Sequence, residues 1–136
     1  MNEQPTPVRG EVCYVELDPT VGQEMKKTRP AVVMNVTGVG DPQTVILPAA
    51  VVNVADVGAF ALTIVVPLIG WKPYYEDYIW MNLIQPTPEN GLTKDSGADA
   101  FQVRSISTER FRDRIGVLTD EQVENIAAAI AICVGY

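Results

Sequence analysis

An α+β chain built around a small β-barrel is what three features of this sequence predict. Five or six short segments alternate apolar and polar residues, turn residues separate them, and helix-start signals are confined to the C-terminal end. At 136 residues, 47% apolar and 20% charged, the chain is long and apolar enough to bury a core. Residues 1–8 read as a flexible leader and 9–136 as a single domain.

The elements follow in order. Glu11–Leu17 alternates, with Cys13, Val15 and Leu17 on one face and Val12, Tyr14 and Glu16 on the other, which is strand periodicity. Asp18-Pro19-Thr20 breaks it, and Gly22 marks a loop continuing to Thr28. Pro30 opens a second strand, Ala31–Val36, because a strand's first position needs no ladder donor. Gly38, Gly40, Asp41 and Pro42 form a turn, and Val45–Leu47 and Leu62–Leu68 are β-rich runs. The segment 48–61 shows no period that assigns it. Gly70–Asp77 reads as a loop carrying Trp71, Tyr74 and Tyr75, Tyr78–Ile84 as a strand, Pro86–Gly91 as a turn, and Ala98–Ile106 as another strand. Two helices are expected after that. Ser107 resembles an N-cap with Ile106 and Phe111 as a hydrophobic staple, and Gly116 would stop this helix after Ile115. Thr119 opens the second, with Gln122 completing a capping box and Leu118 and Val123 as the staple. Val123, Ile126, Ala127, Ile130 and Val134 then give one apolar face, expected to be core or dimer contact.

Composition excludes several chemistries. There is no His, so a Ser-His-Asp triad, a His-paired thiol and a His-ligated zinc are all ruled out. A net charge of -7 argues against an indiscriminate nucleic-acid coat. Cys13 and Cys133 cannot make a disulfide framework and read as two small buried hydrophobes of a reduced cytoplasm. The polar, proline-containing N-terminus is no signal peptide. Pro48, Asn53, Asp56 and Gly58 interrupt the most apolar stretch, 44–69, so no membrane span is expected. The pairs Glu76/Asp77 and Asp18/Asp41 have no metal-ligand spacing, so no metal is expected. Gly38-x-Gly40 is too short for a phosphate loop.

Three pieces carry the strongest signal: Arg9-Gly10-Glu11 and Leu17-Asp18-Pro19-Thr20-Val21-Gly22-Gln23-Glu24; then Thr28-Arg29-Pro30-Ala31-Val32-Val33; then Gly91-Leu92-Thr93-Lys94-Asp95-Ser96 followed by Gln102-Val103-Arg104-Ser105-Ile106. In this order they resemble the MazF/PemK toxins of type II toxin–antitoxin pairs, over roughly residues 9–36, 60–70 and 91–133. The resemblance implies an SH3-like β-barrel of CcdB/MazF type with C-terminal helices. It further implies a cytoplasmic homodimer, a cognate antitoxin, and cofactor-free, metal-independent cleavage of single-stranded mRNA by 2′-hydroxyl attack. On the matching positions, Arg29 is the catalytic arginine and Glu24 the base or the residue holding Arg29. Gln23, Thr28, Gln102 and Arg104 are the RNA-binding residues.

A guanidinium suits the phosphate role because it stays charged and binds oxygens bidentately. Plainer readings stand beside these: Arg29 paired to Glu24, Glu24 as a solvated loop carboxylate, Gln102 at a strand end, and Ser96 as a turn hydroxyl. The chain also departs from the family. Ile69 falls where many members have a phosphate-gripping threonine, with Thr63 the nearest other hydroxyl. Gln23 stands where some have His, and Phe101 where some have Asp. These departures motivate an alternative, a catalytically degenerate RNA- or partner-binding protein. The C-terminal Tyr136 motivates a thinner one, a CcdB-type gyrase inhibitor. The aromatic cluster Trp71, Tyr74, Tyr75, Tyr78 and Trp80 reads as core and dimer packing ahead of base stacking. Finally, residues 26–29 carry three cations and 104–114 four Arg against two acids, so a local basic face on an acidic body is expected.

Overall fold

Strand β1, Glu11–Glu16, lies between two antiparallel partners in the computed structural model, which describes residues 7–18, 21–24, 27–35 and 62–136. On one side is β2, Thr28–Val33, in a register running from Val12↔Val32 to Glu16↔Thr28. The strand begins two residues before Pro30, which sits inside it opposite Tyr14. It is tolerated because the register of β2 with the next strand ends at Ala31, leaving no ladder bond on that edge for the proline to miss. The expected turn at 38–42, the run Val45–Leu47 and the segment 48–61 lie outside the described residues.

Strand β3, Leu62–Gly70, pairs β2 along one edge. Along its other edge two strands follow one another: β6, Arg104–Ser107, against Leu62–Val65, and β5, Ser96–Asp99, against Leu68–Gly70. The alternating run Ala98–Ile106 is therefore two strands, split by a 3-10 turn at Ala100–Gln102. The Asp99 carboxylate starts that turn by accepting from the Phe101 N–H at 3.1 Å, a local bond that competes with the ladder. Pro67, which has no N–H to donate, falls in the stretch of β3 left unpaired on that edge. Strand β4, Met81–Ile84, pairs β5 and starts later than expected, because Pro73–Asp77 forms a 3-10 turn closed by Tyr78 N–H to the Tyr75 carbonyl.

The expected helix over 107–115 is not formed. Ser107 does cap, but its hydroxyl serves only a 3-10 turn at Thr108–Arg110, and Phe111–Val117 continues as β7 on the free edge of β1. Cross-strand pairing decides the outcome: Arg112 lies 2.5 Å from Glu16, Arg114 pairs Glu11, and Phe111 and Ile106 bury in one cluster with Val15. One C-terminal helix remains, α1, Asp120–Cys133. Its capping box is present, with Gln122 N–H to the Thr119 hydroxyl at 3.1 Å and Thr119 N–H to the Gln122 side chain at 2.9 Å. Val123, Ile126 and Ala129 are its buried positions, and Ala127 and Ile130 pack beside them. Val134 lies past the helix end and is 72% exposed, so the apolar face stops short of it.

The sheet order is β4-β5-β3-β2-β1-β7, with β6 pairing β3 off this path, which makes an antiparallel sheet of seven strands. Among the described residues its end strands β4 and β7 are not paired, so the barrel is open there. Both faces of β1 and β2 are buried. Val12 and Val32 join Leu68, Leu92 and Ile126 under α1, while Cys13, Val15, Leu17, Ala31 and Val33 form a second cluster on the opposite face. Each Val, Leu or Ile among them is worth about 1.5–3 kcal/mol when fully buried. Burial pushes the Cys13 thiol up to about 11, whereas Cys133 on α1 is only partly buried. Among the described residues no helix is long and apolar enough to cross a membrane.

Gly116, read from sequence as a helix stop, has another task. A Cβ there would overlap the Asn90 carbonyl and the Glu89 oxygen, because β7 runs directly against the 89–91 turn, with Val117 N–H on the Glu89 carbonyl at 2.9 Å. Asn90 holds the turn from within. It is 1% exposed, its side-chain oxygen accepts from the Thr87 and Leu92 N–H groups, and its amide donates to the Gln85 carbonyl. Gly116→Ala is expected to lower unfolding free energy by about 3 kcal/mol, because the obstruction is backbone and cannot rotate away. Urea denaturation checks this, and a change below about 0.5 kcal/mol would contradict the crossing.

Candidate functional site

A cavity of about 240 Å³ opens where the ends of β1, β2 and β3 meet the 91–96 segment. Tyr14 comes from β1, Thr28, Arg29 and Pro30 from β2, Leu68, Ile69 and Gly70 from β3, and Leu92, Thr93, Lys94 and Ser96 from the segment leading into β5. The register explains the gathering. Arg29 pairs Val15, Pro30 pairs Tyr14, and Gly70 pairs Ser96, so four chain segments end side by side. Leu68 and Leu92 belong also to the core under α1, which makes the cavity floor apolar and its rim polar.

Of the residues predicted from sequence, Arg29 and Thr28 line this cavity. Ser96 does too, but it is 4% exposed and its hydroxyl donates to the Lys94 carbonyl at 3.1 Å, the turn role foreseen for it. Ile69 is also in the wall. Thr63, the other hydroxyl considered, is buried at the far end of β3 and does not line the cavity.

Gln23, Glu24 and Gln102 form a second group, outside the cavity wall. The Glu24 carboxylate accepts from the Val21 N–H at 2.6 Å and so closes its own turn in the β1–β2 loop. Gln102 donates from its side-chain amide to the Gln23 carbonyl at 3.3 Å, which ties the 3-10 turn after β5 to that loop. The loop is also held at its base. Leu17 N–H donates to the carbonyl of Lys27, a residue in the left-handed region at φ 71°, and Arg110 donates to the carbonyls of Glu16 and Asp18. Arg104, on β6 opposite Val65, is half-buried and lines neither group.

The arginines expected to form a basic face over residues 104–114 are engaged within the chain. Arg112 and Arg114 pair with Glu16 and Glu11 of β1, and Arg110 donates to backbone carbonyls. The aromatic residues form a run of ring contacts: Trp71 to Tyr75 at 5.6 Å, Tyr75 to Tyr78 at 6.0 Å, Tyr78 stacked on Trp80 at 4.9 Å, and Trp80 edge-on to Phe101 at 4.9 Å. Of these rings Tyr75 is buried, Trp71, Tyr78 and Trp80 are half-buried and Phe101 is exposed, so within one chain only part of the run is core. Among the described residues no group of acidic or sulfur side chains is placed to hold a metal ion.

Sequence reasoning missed Tyr14 and Lys94 as cavity residues. Lys94 stood within a matched piece, and Tyr14 is an aromatic on the face of β1 opposite Cys13 and Val15. Both signals were present but became legible only once the segments were placed.

The family described as PemK-like, MazF-like toxin of type II toxin-antitoxin system matches residues 8–50 and 34–134, so this chain belongs to it. Solved structures are similar at low identity. MazF from Deinococcus radiodurans superposes with a TM-score of 0.68 at 15% identity, covering 98% of this chain and 100% of that one. The Mycobacterium tuberculosis toxin MazF-mt6 gives 0.63 at 16%, covering 92% and 96%. An endoribonuclease in complex with its cognate antitoxin, from a mycobacterial species, gives 0.60 at 18%, covering 96% of each chain. No curated protein matches significantly in sequence.

Two predictions test how the loop is held. Arg110→Met frees the Glu16 and Asp18 carbonyls, so amide exchange across 18–24 should quicken while global stability falls by only about 1–2 kcal/mol. Unchanged exchange in that segment would count against the anchor. The second concerns Asp99, whose carboxyl burial raises above its ordinary value of 3.8. The folded chain therefore holds this proton more tightly than the unfolded chain. The contribution favours folding below the ordinary carboxylate pKa and is lost as pH rises through the raised one. At neutral pH Asp99→Asn keeps the acceptor for Phe101 and removes the buried charge, so thermal midpoints should be equal or higher. Asp99→Ala, which loses the acceptor, should unfold lower by about 1 kcal/mol. A lower midpoint for the Asn variant would refute this.

Proposed function

We propose that this toxin is a metal-independent endoribonuclease that cuts single-stranded mRNA, works as a cytoplasmic homodimer and is held inactive by a cognate antitoxin. The observation that carries the reading is Arg29 in the wall of an open cavity, on a chain of the PemK/MazF toxin family. Two further points support it: structurally similar proteins include an endoribonuclease bound to its cognate antitoxin, and the metal-independent route asks nothing of the absent His.

The reaction is a transesterification. The 2′-hydroxyl oxygen bonds to the adjacent phosphorus while the bond from phosphorus to the 5′ oxygen breaks. The hydroxyl proton goes to a base and a proton reaches the leaving oxygen, giving a cyclic phosphate and a 5′-hydroxyl. Charge builds on the non-bridging oxygens of the phosphorane, and a fixed guanidinium placed at them stabilises that state more than the ground state. Arg29 takes this part. Glu24 serves as base or positions Arg29 from the β1–β2 loop, and Gln23, Thr28, Gln102 and Arg104 bind the flanking RNA. Gln102 is already bonded to the Gln23 carbonyl, so the two sides of the RNA path are coupled. An acidic antitoxin segment would compete for the same cations.

A second reading rests on Ile69. It lines the cavity where a hydroxyl donor would grip phosphate, and its side chain cannot donate, so binding without cutting is the alternative outcome.

The test is incubation of wild type and Arg29→Ala with single-stranded RNA of varied triplets in EDTA. Wild type should cut at defined sites, and the variant should be slower by about 10²–10³-fold. Equal rates would remove Arg29 from the chemistry. RNA bound in anisotropy with no product on gels would favour the non-cutting reading.

A further inference from the structure

Although the chain carries -7, no carboxylate among the described residues lines the cavity, and the charged residues that do are Arg29 and Lys94. Lys94 is held there by several contacts. The Ser96 hydroxyl donates to the Lys94 carbonyl at 3.1 Å, and the Trp71 N–H donates to the next carbonyl, that of Asp95, at 3.0 Å. These bonds dock the turn against the end of β3, where Ser96 pairs Gly70. The lysine stem then crosses Gly70. A Cβ built on Gly70 would stand 3.2 Å from Lys94 Nζ and 3.5 Å from Cε. Gly70 is thus the open place over which the ammonium lies. The last three β3 residues in the wall are Leu68, Ile69 and Gly70, none with a side-chain donor, so the ammonium sits where that strand offers no polar grip of its own.

We propose that Lys94 is a second phosphate-binding cation of this site, taking over the grip that a hydroxyl at the end of β3 would provide, with Gly70 present to leave room for its ammonium. The ligand class is a backbone phosphodiester of single-stranded RNA, bridged between Arg29 on β2 and Lys94 on the opposite rim. An ammonium supplies three donors and a full charge, more than a hydroxyl does, and its flexible stem tolerates a moving substrate. Lys94 touches substrate in this arrangement, while Ser96 and Gly70 position it. The inference rests on the RNA reading above.

The experiment measures binding apart from cutting. Fluorescein-labelled RNA, 2′-O-methylated throughout so that no hydroxyl can attack, is titrated with wild type, Lys94→Met, Lys94→Arg and Gly70→Ala, and anisotropy is read at several salt concentrations. Lys94→Met should weaken binding about tenfold and lower the salt slope by about 0.7, the contribution of one phosphate contact on a single strand. Lys94→Arg should stay within about twofold, and Gly70→Ala should fall between, because its methyl displaces the ammonium. Thermal midpoints equal to wild type show that the variants are folded. Affinity and slope unchanged in Lys94→Met would overturn the proposal, as would a wild type that binds no RNA. Lys94-dependent binding with no cleavage of unmodified RNA would leave Lys94 standing and remove the endoribonuclease reading instead.

Discussion

Strand β3 carries three partner strands on its two edges, and that arrangement shapes the rest. One edge serves β2, while the other is shared end to end by β6 and β5. The two partners need a gap between them. Pro67 removes a donor at that gap, and the Asp99 carboxylate turns the chain out of the ladder on the opposite side. The change of partner here leaves the end of β3 paired with the strand that follows the 91–96 segment. Arg29, Ile69 and Lys94 share one cavity beside that change of partner. The same excursion carries Gln102 to the β1–β2 loop.

How much of this was legible from sequence depends on whether the deciding interaction was local. The capping box of α1 is local, four residues long, and appears as read. The alternation of Cys13, Val15 and Leu17 also appears, since one face of β1 closes a cluster of its own. The helix expected over 107–115 failed because Ser107, Phe111 and Gly116 each satisfy a local helix rule while serving a distant partner. Phe111 packs with Val15, and Gly116 lets backbone from the 89–91 turn approach. No local rule holds that information. The site divides the same way. The motif pieces named Arg29 and Thr28, and both line the cavity, whereas the arginines of β7 were counted toward a basic face on charge alone. Their partners lie about a hundred residues away on β1.

Pairing those arginines has an electrostatic result. Glu11 and Glu16 pair with Arg114 and Arg112, so those arginines do not offset the acidic excess on the flank of the sheet, and among the described residues the cavity is lined by two cations and no acid. A small basic mouth on an acidic body favours ligands that present one or two phosphates and repels long stretches of duplex.

Leu68 and Leu92 face α1 on one side and the cavity on the other. Floor and core are one layer of side chains, so the mouth of the site has no elasticity apart from that of the folded domain. A mutation that thins this layer softens both at once, and heat would blunt ligand grip before it unfolds the chain. In selections for harmless variants, such positions would yield temperature-conditional survivors, whereas charge removal at the rim would yield unconditional ones. The two kinds of survivor would map the boundary between packing and chemistry without a single structure being solved.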